Sequence, residues 1–192
     1  MNAGTLTWEH KLIDWAHEGL ASQAAHIFLV RDEAALAAAY VRCEAITREH
    51  SRTFYLASSL LPSDKRRAAR ALYAFCRTSD DLVDCGQGGA MESLQAWRQC
   101  ALSVLPCDNP VALAWADTRL RYRIPVRYAE QLIAGVARDV TTCRYGPFEE
   151  LAAYCYGVAS TVWLMAMHII GYAGQQAIPF THSPIHPLSH SA

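Results

Sequence analysis

Apolar residues recur along this chain at spacings of three and four, and that rhythm predicts one helix after another. Behind Asp32, the stripe Leu36, Tyr40, Cys43 and Ile46 runs along one side of a helix that the aspartate can cap. Residues 51–61 predict a shorter helical piece closed by Pro62. Ser63, read as a cap, opens a helix carrying Leu72, Phe75, Ser79 and Leu82 on one side, which stops at the glycine-rich run 85–89. A further helix over 91–105 ends at the turn cluster Pro106 to Pro110. Pro125 suits the first position of a helix through Thr141, where its missing amide proton costs nothing. After Gly146 and Pro147, the residues Leu151, Cys155, Val158, Val162 and Met165 make one long apolar stripe. No stretch alternates with period two and β-branched enrichment, so the predicted fold class is all-α, a helical bundle.

The end of the chain breaks this rhythm. His182, His186 and His190 recur every four residues, a metal-binding face if helical, but Pro184 and Pro187 exclude that helix. Residues 179–192 therefore predict a disordered tail behind a helical domain over 1–178. Composition supports a globular chain: 192 residues, 52% hydrophobic and 18% charged, suffice for one domain with a sizeable core. A formal net charge of −1 supplies no general attraction to nucleic acid, and none is expected as a partner. Lys65, Arg66, Arg67 and Arg70 nevertheless cluster, either as a solvated helix face or as a positive rim that draws in polyanions. Seven cysteines without a CxxC pair predict reduced thiols and a cytoplasmic protein. No signal-peptide pattern opens the chain, since Glu9, His10, Lys11 and Asp14 interrupt the segment from Trp8 to Trp15. The apolar run from Val162 through Ile170 is broken by His168 and reads as too short to span a bilayer. The expectation is a soluble protein, with peripheral contact to a membrane surface left open as a way to collect a greasy substrate.

One helix carries candidate chemistry. Tyr73, Arg77, Asp80, Asp81 and Asp84 follow Ser63 at helical spacings, so Asp80 and Asp84 project from one face a turn apart. Two carboxylates so placed repel unless a cation lies between them, and their hard oxygens suit Mg2+, with Mn2+ as a substitute. Magnesium keeps waters and picks up phosphate oxygens, which would make the pair a diphosphate platform that Arg77 can reach with a forked contact. The competing reading is an ordinary acidic, solvated helix end.

Four ordered blocks resemble the squalene/phytoene synthase family. They are His50-Ser51-Arg52-Thr53-Phe54-Tyr55-Leu56; Ala71 to Arg77 leading into Asp80-Asp81-Leu82-Val83-Asp84; Leu132 to Val136 with Asp139, Arg144 and Tyr145; and Tyr154-Cys155-Tyr156-Gly157-Val158-Ala159-Ser160-Thr161-Val162. The blocks cover about residues 40–178, and the Thr-Phe-Tyr-Leu wording leans toward phytoene synthase. The resemblance implies head-to-head condensation of two geranylgeranyl diphosphates through a cyclopropyl diphosphate to phytoene, a carotenoid precursor. It assigns Asp80 and Asp84 to magnesium, with Arg77 beside them. His50, Ser51, Arg52, Thr53 and Tyr73 become diphosphate contacts, and NADPH is not expected for phytoene formation. Phe54, Tyr73 and Tyr154 can offer ring faces to a carbocation, worth up to ~2 kcal/mol when desolvated; each can equally fill a core. Val158 and Val162 match positions lining the family's apolar tunnel, although helix packing explains them equally well.

Two departures qualify this resemblance. The family block ends Ala-Gly-Thr-Val-Gly, and here Ser160 and Trp163 replace the two glycines. Trp163, if it points inward, would shorten or plug the space for a C20 chain. The family also carries an NxxxD motif after the Tyr154 block, and no Asp or Glu follows Glu150 in this sequence. The expectation is a truncated or frameshifted chain that binds one diphosphate without turnover and leaves the stripe from Leu151 to Met165 partly uncovered. Two alternatives stand beside it: squalene or dehydrosqualene synthesis from farnesyl diphosphate, and a non-catalytic helical subunit whose partner chain supplies the missing helices.

Overall fold

Asp32 caps as its position predicts: in the computed structural model its Oδ1 accepts hydrogen bonds from the backbone N–H groups of Ala34 at 2.9 Å and Ala35 at 3.4 Å. The structure describes residues 7–21, 32–84, 89–103, 108–140, 142 and 144–171. Among them every regular element is helical, in agreement with the all-α expectation. The order is α1 (Trp8–Ala21), α2 (Glu33–His50), α3 (Arg52–Ser58), α4 (Ser63–Asp84), α5 (Ala90–Leu102), α6 (Pro110–Arg121) and α7 (Val126–Val136). A 3-10 turn (Ala137–Val140) follows, then α8 (Phe148–Cys155), a π-helical segment (Tyr156–Ser160) and α9 (Thr161–Ile170). The tail expected over 179–192 and the glycines at 86 and 88 lie outside the described residues.

Several boundaries differ from the periodic reading by a residue or a turn. Ser63 is the first helical residue of α4 rather than its cap, and Pro62 supplies the first carbonyl, to Arg66 N–H at 2.8 Å. Pro125 caps α7 rather than entering it, and α7 tightens into the 3-10 turn after Val136. Gly89 adopts φ +105°, a left-handed conformation that glycine tolerates, and so turns the chain into α5.

The core is built on α2, α4 and α6. Phe75 stacks on Trp115 with ring centroids 4.6 Å apart and planes 8° from parallel, and Trp97 of α5 lies 6.1 Å from Phe75. Trp97 Nε1–H donates to Ser79 Oγ at 2.9 Å, and Ser79 in turn donates to the Phe75 carbonyl at 2.9 Å. That relay satisfies the polar atoms that burial would otherwise leave unpaired. Burying side chains of this size contributes about 1.5–3 kcal/mol each from area alone. Helix α6 is not predicted by any stripe, because Val111, Ala112, Ala114, Trp115, Ala116, Thr118 and Arg119 bury nearly all its faces. A helix wrapped on every side shows no apolar periodicity.

The basic cluster of α4 divides: Arg67 is exposed, Lys65 and Arg66 are half-buried, and Arg70 is interior. Arg70, 4% exposed, pairs with Glu44 of α2 at 2.9 Å and donates to Ser58 Oγ, Ser59 Oγ and the Tyr55 carbonyl. Its guanidinium also lies 4.1 Å from the centroid of the Tyr55 ring. Arg67 covers the Tyr40 ring at 4.2 Å, and Lys65 Nζ donates to the Ile170 carbonyl at 2.6 Å, where a cation suits the helix C-terminus.

Cys43, Cys76 and Cys155 are free thiols. One further expectation is corrected. Residues Phe148–Ile170 form one continuous helix of 23 residues, long and apolar enough by composition to cross a membrane. His168 does not end that run, because its half-buried ring faces Tyr128 at 6.2 Å rather than interrupting the helix. Only 28% of its apolar window is buried within the molecule.

Candidate functional site

The site begins where α2 hands over to α3. His50 is the last residue of α2, Ser51 joins the two helices at φ −149° and ψ 89°, and its Oγ accepts from Phe54 N–H at 3.3 Å. Arg52 and Thr53 then open α3, both exposed with His50 beside them. Phe54 links this stretch to α4 by stacking on Tyr73, with centroids 5.2 Å apart and planes 20° from parallel. The block around residue 50 and the middle of the acidic helix are thereby neighbours.

One and two turns beyond Tyr73 lie Arg77, Asp80 and Asp81. Arg77 forms an ion pair with Asp81, so one edge of its guanidinium is already engaged. Burial works against its charge, but the hydrogen bond and charge of Asp81, then Tyr73 and Asp80, outweigh it and raise its proton affinity. Among the described residues its Nε is buried without a partner, a donor that suits an incoming anion. Asp80 is exposed, and Asp84 closes α4, its side chain outside the described residues. Among the described residues no group of three or more His, Cys, Asp or Glu side chains could hold a metal ion. A pair of carboxylates is instead the donor set that magnesium shares with water and phosphate oxygens, and an exposed Asp80 beside an orphaned Arg77 donor fits that chemistry.

Across from α4, Tyr154 of α8 donates its hydroxyl to Asp139 Oδ2 at 3.1 Å, and its ring lies 4.9 Å from that of Tyr145. Burial first, then the hydrogen bond and charge of Asp139, push the Tyr154 phenol up to about 12, with Tyr145 and Asp80 adding to the effect. The 3-10 turn that carries Asp139 also touches α4, so the third sequence block lies beside the second. Asp139 and Tyr145 belong to the third block but carried no assigned role; the Tyr154 contact draws both into the site. Tyr145 Oη is buried and unpartnered.

Val158 and Val162 are half-buried and packed on the core. Val158 sits in the π segment, where the helix crosses α7 so closely that a Cβ on Gly157 would lie 3.0 Å from Gly135 Cα. A π turn inside a long helix recurs at functional sites and re-aims the side chains after it.

A sequence model of the squalene/phytoene synthase family matches residues 47–183, well over half the chain. The chain belongs to the squalene/phytoene synthase family. A phytoene synthase of Arthrospira platensis is 36% identical over 148 residues, covering 75% of this chain and 48% of that protein. A 15-cis-phytoene synthase of Synechococcus elongatus is 38% identical over 143 residues, covering 72% of this chain and 46% of the relative. The chain therefore spans about half the length of the curated relatives it matches. A crystal structure of a dehydrosqualene synthase in complex with ligand superposes with a TM-score of 0.64 at 29% identity, over 70% of this chain and 48% of that one.

Within this squalene/phytoene synthase frame, α1 lies before the matched residues. It docks onto α7 through Tyr128 Oη–H to the Ala16 carbonyl at 3.0 Å, Gln131 Nε2–H to the Trp15 carbonyl at 3.1 Å, and Arg127 to Glu18 at 3.2 Å. Trp163 is 69% exposed and, with Ser160, lines an apolar groove against Ile13 and Leu20 of α1. Both departures from the family glycines thus face outward onto α1, and Trp163 does not fill the interior.

Proposed function

We propose that this chain binds a prenyl diphosphate at the joined ends of α2, α3 and α4, in the manner of a phytoene-forming head-to-head prenyltransferase. The observation that carries the reading is the stacking of Phe54 on Tyr73 together with the Tyr154–Asp139 hydrogen bond on the 3-10 turn that touches α4, which gathers residues from all four family blocks. Asp80 and Asp84 would hold magnesium, which when bound neutralises the departing diphosphate. Arg77 would place its unpartnered Nε on the phosphate oxygens, with Ser51, Arg52 and Thr53 approaching from the start of α3. Phe54, Tyr73 and Tyr154 would turn ring faces toward the allylic cation, and Val158 and Val162 would border the hydrocarbon chain. Geranylgeranyl diphosphate is the proposed substrate, because the relatives at 36–38% identity are named phytoene synthases. Reaction of two such molecules would form the cyclopropyl diphosphate and then phytoene, without NADPH.

The exposed side chains Leu151, Trp163 and Ile170 on the long C-terminal helix favour a second reading, in which another helical chain covers that face. The test is calorimetric binding of geranylgeranyl and farnesyl diphosphates with and without Mg2+, together with product analysis. Magnesium-dependent binding lost in Asp80→Asn supports the proposal. Binding indifferent to both magnesium and Asp80 overturns it, and a C30 product from farnesyl diphosphate in place of phytoene overturns the substrate assignment.

A further inference from the structure

A cavity of about 420 Å³ lies between α1, α5 and α7, and none of Tyr73, Arg77, Asp80, Tyr154, Val158 or Val162 lines it. Its polar wall is cationic: Arg98 of α5, Arg127 of α7 and Arg138 of the 3-10 turn face it, against the single carboxylate of Glu130. Glu18 of α1 also holds Arg127. The pairing also leaves donors over. Arg127 bonds Glu130 at 3.1 Å and Glu18 at 3.2 Å, yet its Nε is buried with no partner. Arg98 approaches Glu130 only at 3.7 Å, beyond hydrogen-bond reach. A buried guanidinium donor without an acceptor is costly in a native structure, and an anion relieves it. The remaining wall is apolar, with Trp15 of α1 and Ile133 of α7.

We propose that this cavity is a second, metal-independent site for a phosphate-bearing amphiphile, its head on Arg98 and Arg127 and its apolar body against Trp15 and Ile133. Planar guanidiniums from two different helices suit a head with several oxygens, each fork engaging a different pair. The site goes beyond the diphosphate reading above, which depends on magnesium and Asp80, so the two fail independently. Within the lining, Trp15 comes from α1, which precedes the family match, while Arg98, Arg127 and Ile133 lie inside it.

The experiment is calorimetric titration of the full chain in EDTA with inorganic pyrophosphate and with geranyl diphosphate. Arg98→Gln is expected to weaken binding about tenfold, as for loss of one charge-assisted contact, and Asp80→Asn to leave it unchanged. Glu130→Gln is expected to tighten it, since it removes the carboxylate competing for both arginines. Arg98 makes only the long contact to Glu130, so its variant keeps the test valid even if Arg127→Gln loosens α1. Equal affinity in wild type and Arg98→Gln, or no binding to wild type at millimolar ligand, overturns the proposal. Geranyl diphosphate binding no tighter than pyrophosphate overturns its apolar half and leaves free phosphate as the source.

Discussion

Tyr154 shows how a single side chain records the company it keeps. Its hydroxyl donates to Asp139, so ionisation would set two negative oxygens 3.1 Å apart, and its pKa rises to about 12 from the ordinary value near 10. Because the folded-state value is the higher one, the associated stability is fully present below pH ~10 and is lost as pH rises through about 12. Ultraviolet difference titration of wild type against Tyr154→Phe should isolate one phenol that ionises above the ordinary tyrosine range, and Asp139→Asn should move it down. A Tyr154 that ionises with the bulk tyrosines would contradict the contact. At the same scale, Gly157 is required by distance rather than by conformation. An added methyl meets Gly135 backbone at 3.0 Å, which cannot swing away as a side chain could. Gly157→Ala should therefore destabilise by about 1–3 kcal/mol, read as a lower denaturant midpoint with the slope unchanged.

Among the elements, α3 matters most because it is short and carries the stretch proposed to contact phosphate. Seven residues cannot hold a helix alone, and α3 is fastened by Arg70 reaching from α4 to its last turn and across to Glu44 of α2. Removing that guanidinium while keeping its stem, as in Arg70→Met, should cost about 2–3 kcal/mol, since several charge-assisted hydrogen bonds go with it. Hydrogen exchange should show α3 opening before α4 or α6, and diphosphate affinity should fall with it. Uniform protection in the variant would mean that α3 is held by packing instead. The α7 crossing works differently: two glycines let the π segment and α7 touch backbone to backbone, and the 3-10 turn then delivers Asp139 to Tyr154.

At the scale of the molecule, α1 walls the bundle along α7, ahead of the residues that the family model matches. The docking of α1 explains why Trp163 can stand where the family wording has glycine: the ring lies outside, along Ile13 and Leu20. Trp163→Ala should accordingly leave magnesium-dependent diphosphate binding unchanged while raising exchange in α1. A gain in affinity for a C20 diphosphate would instead place the ring inside the tunnel. Deleting residues 1–31 should lower the melting temperature and increase binding of a hydrophobic dye, because Tyr128 and Tyr156 lose their cover from α1.

The sequence by itself determined the helical class, the run of α2, α4 and the long C-terminal helix, and the family. Each of these rests on local periodicity or on the wording of contiguous blocks. Stripes such as Leu36–Tyr40–Cys43–Ile46 survive because one face is buried and the other is not, and the acidic spacing of α4 is visible for the same local reason. Tertiary structure alone decided the rest. It showed that α6 is buried all round and so leaves no stripe, and that Arg70 belongs to the interior. It also joined Tyr154 to Asp139, turned Trp163 outward, and gathered Arg98 and Arg127 around one cavity. These depend on which helix faces meet, and that is set by close packing between residues up to 100 or more positions apart, such as Arg127 and Glu18.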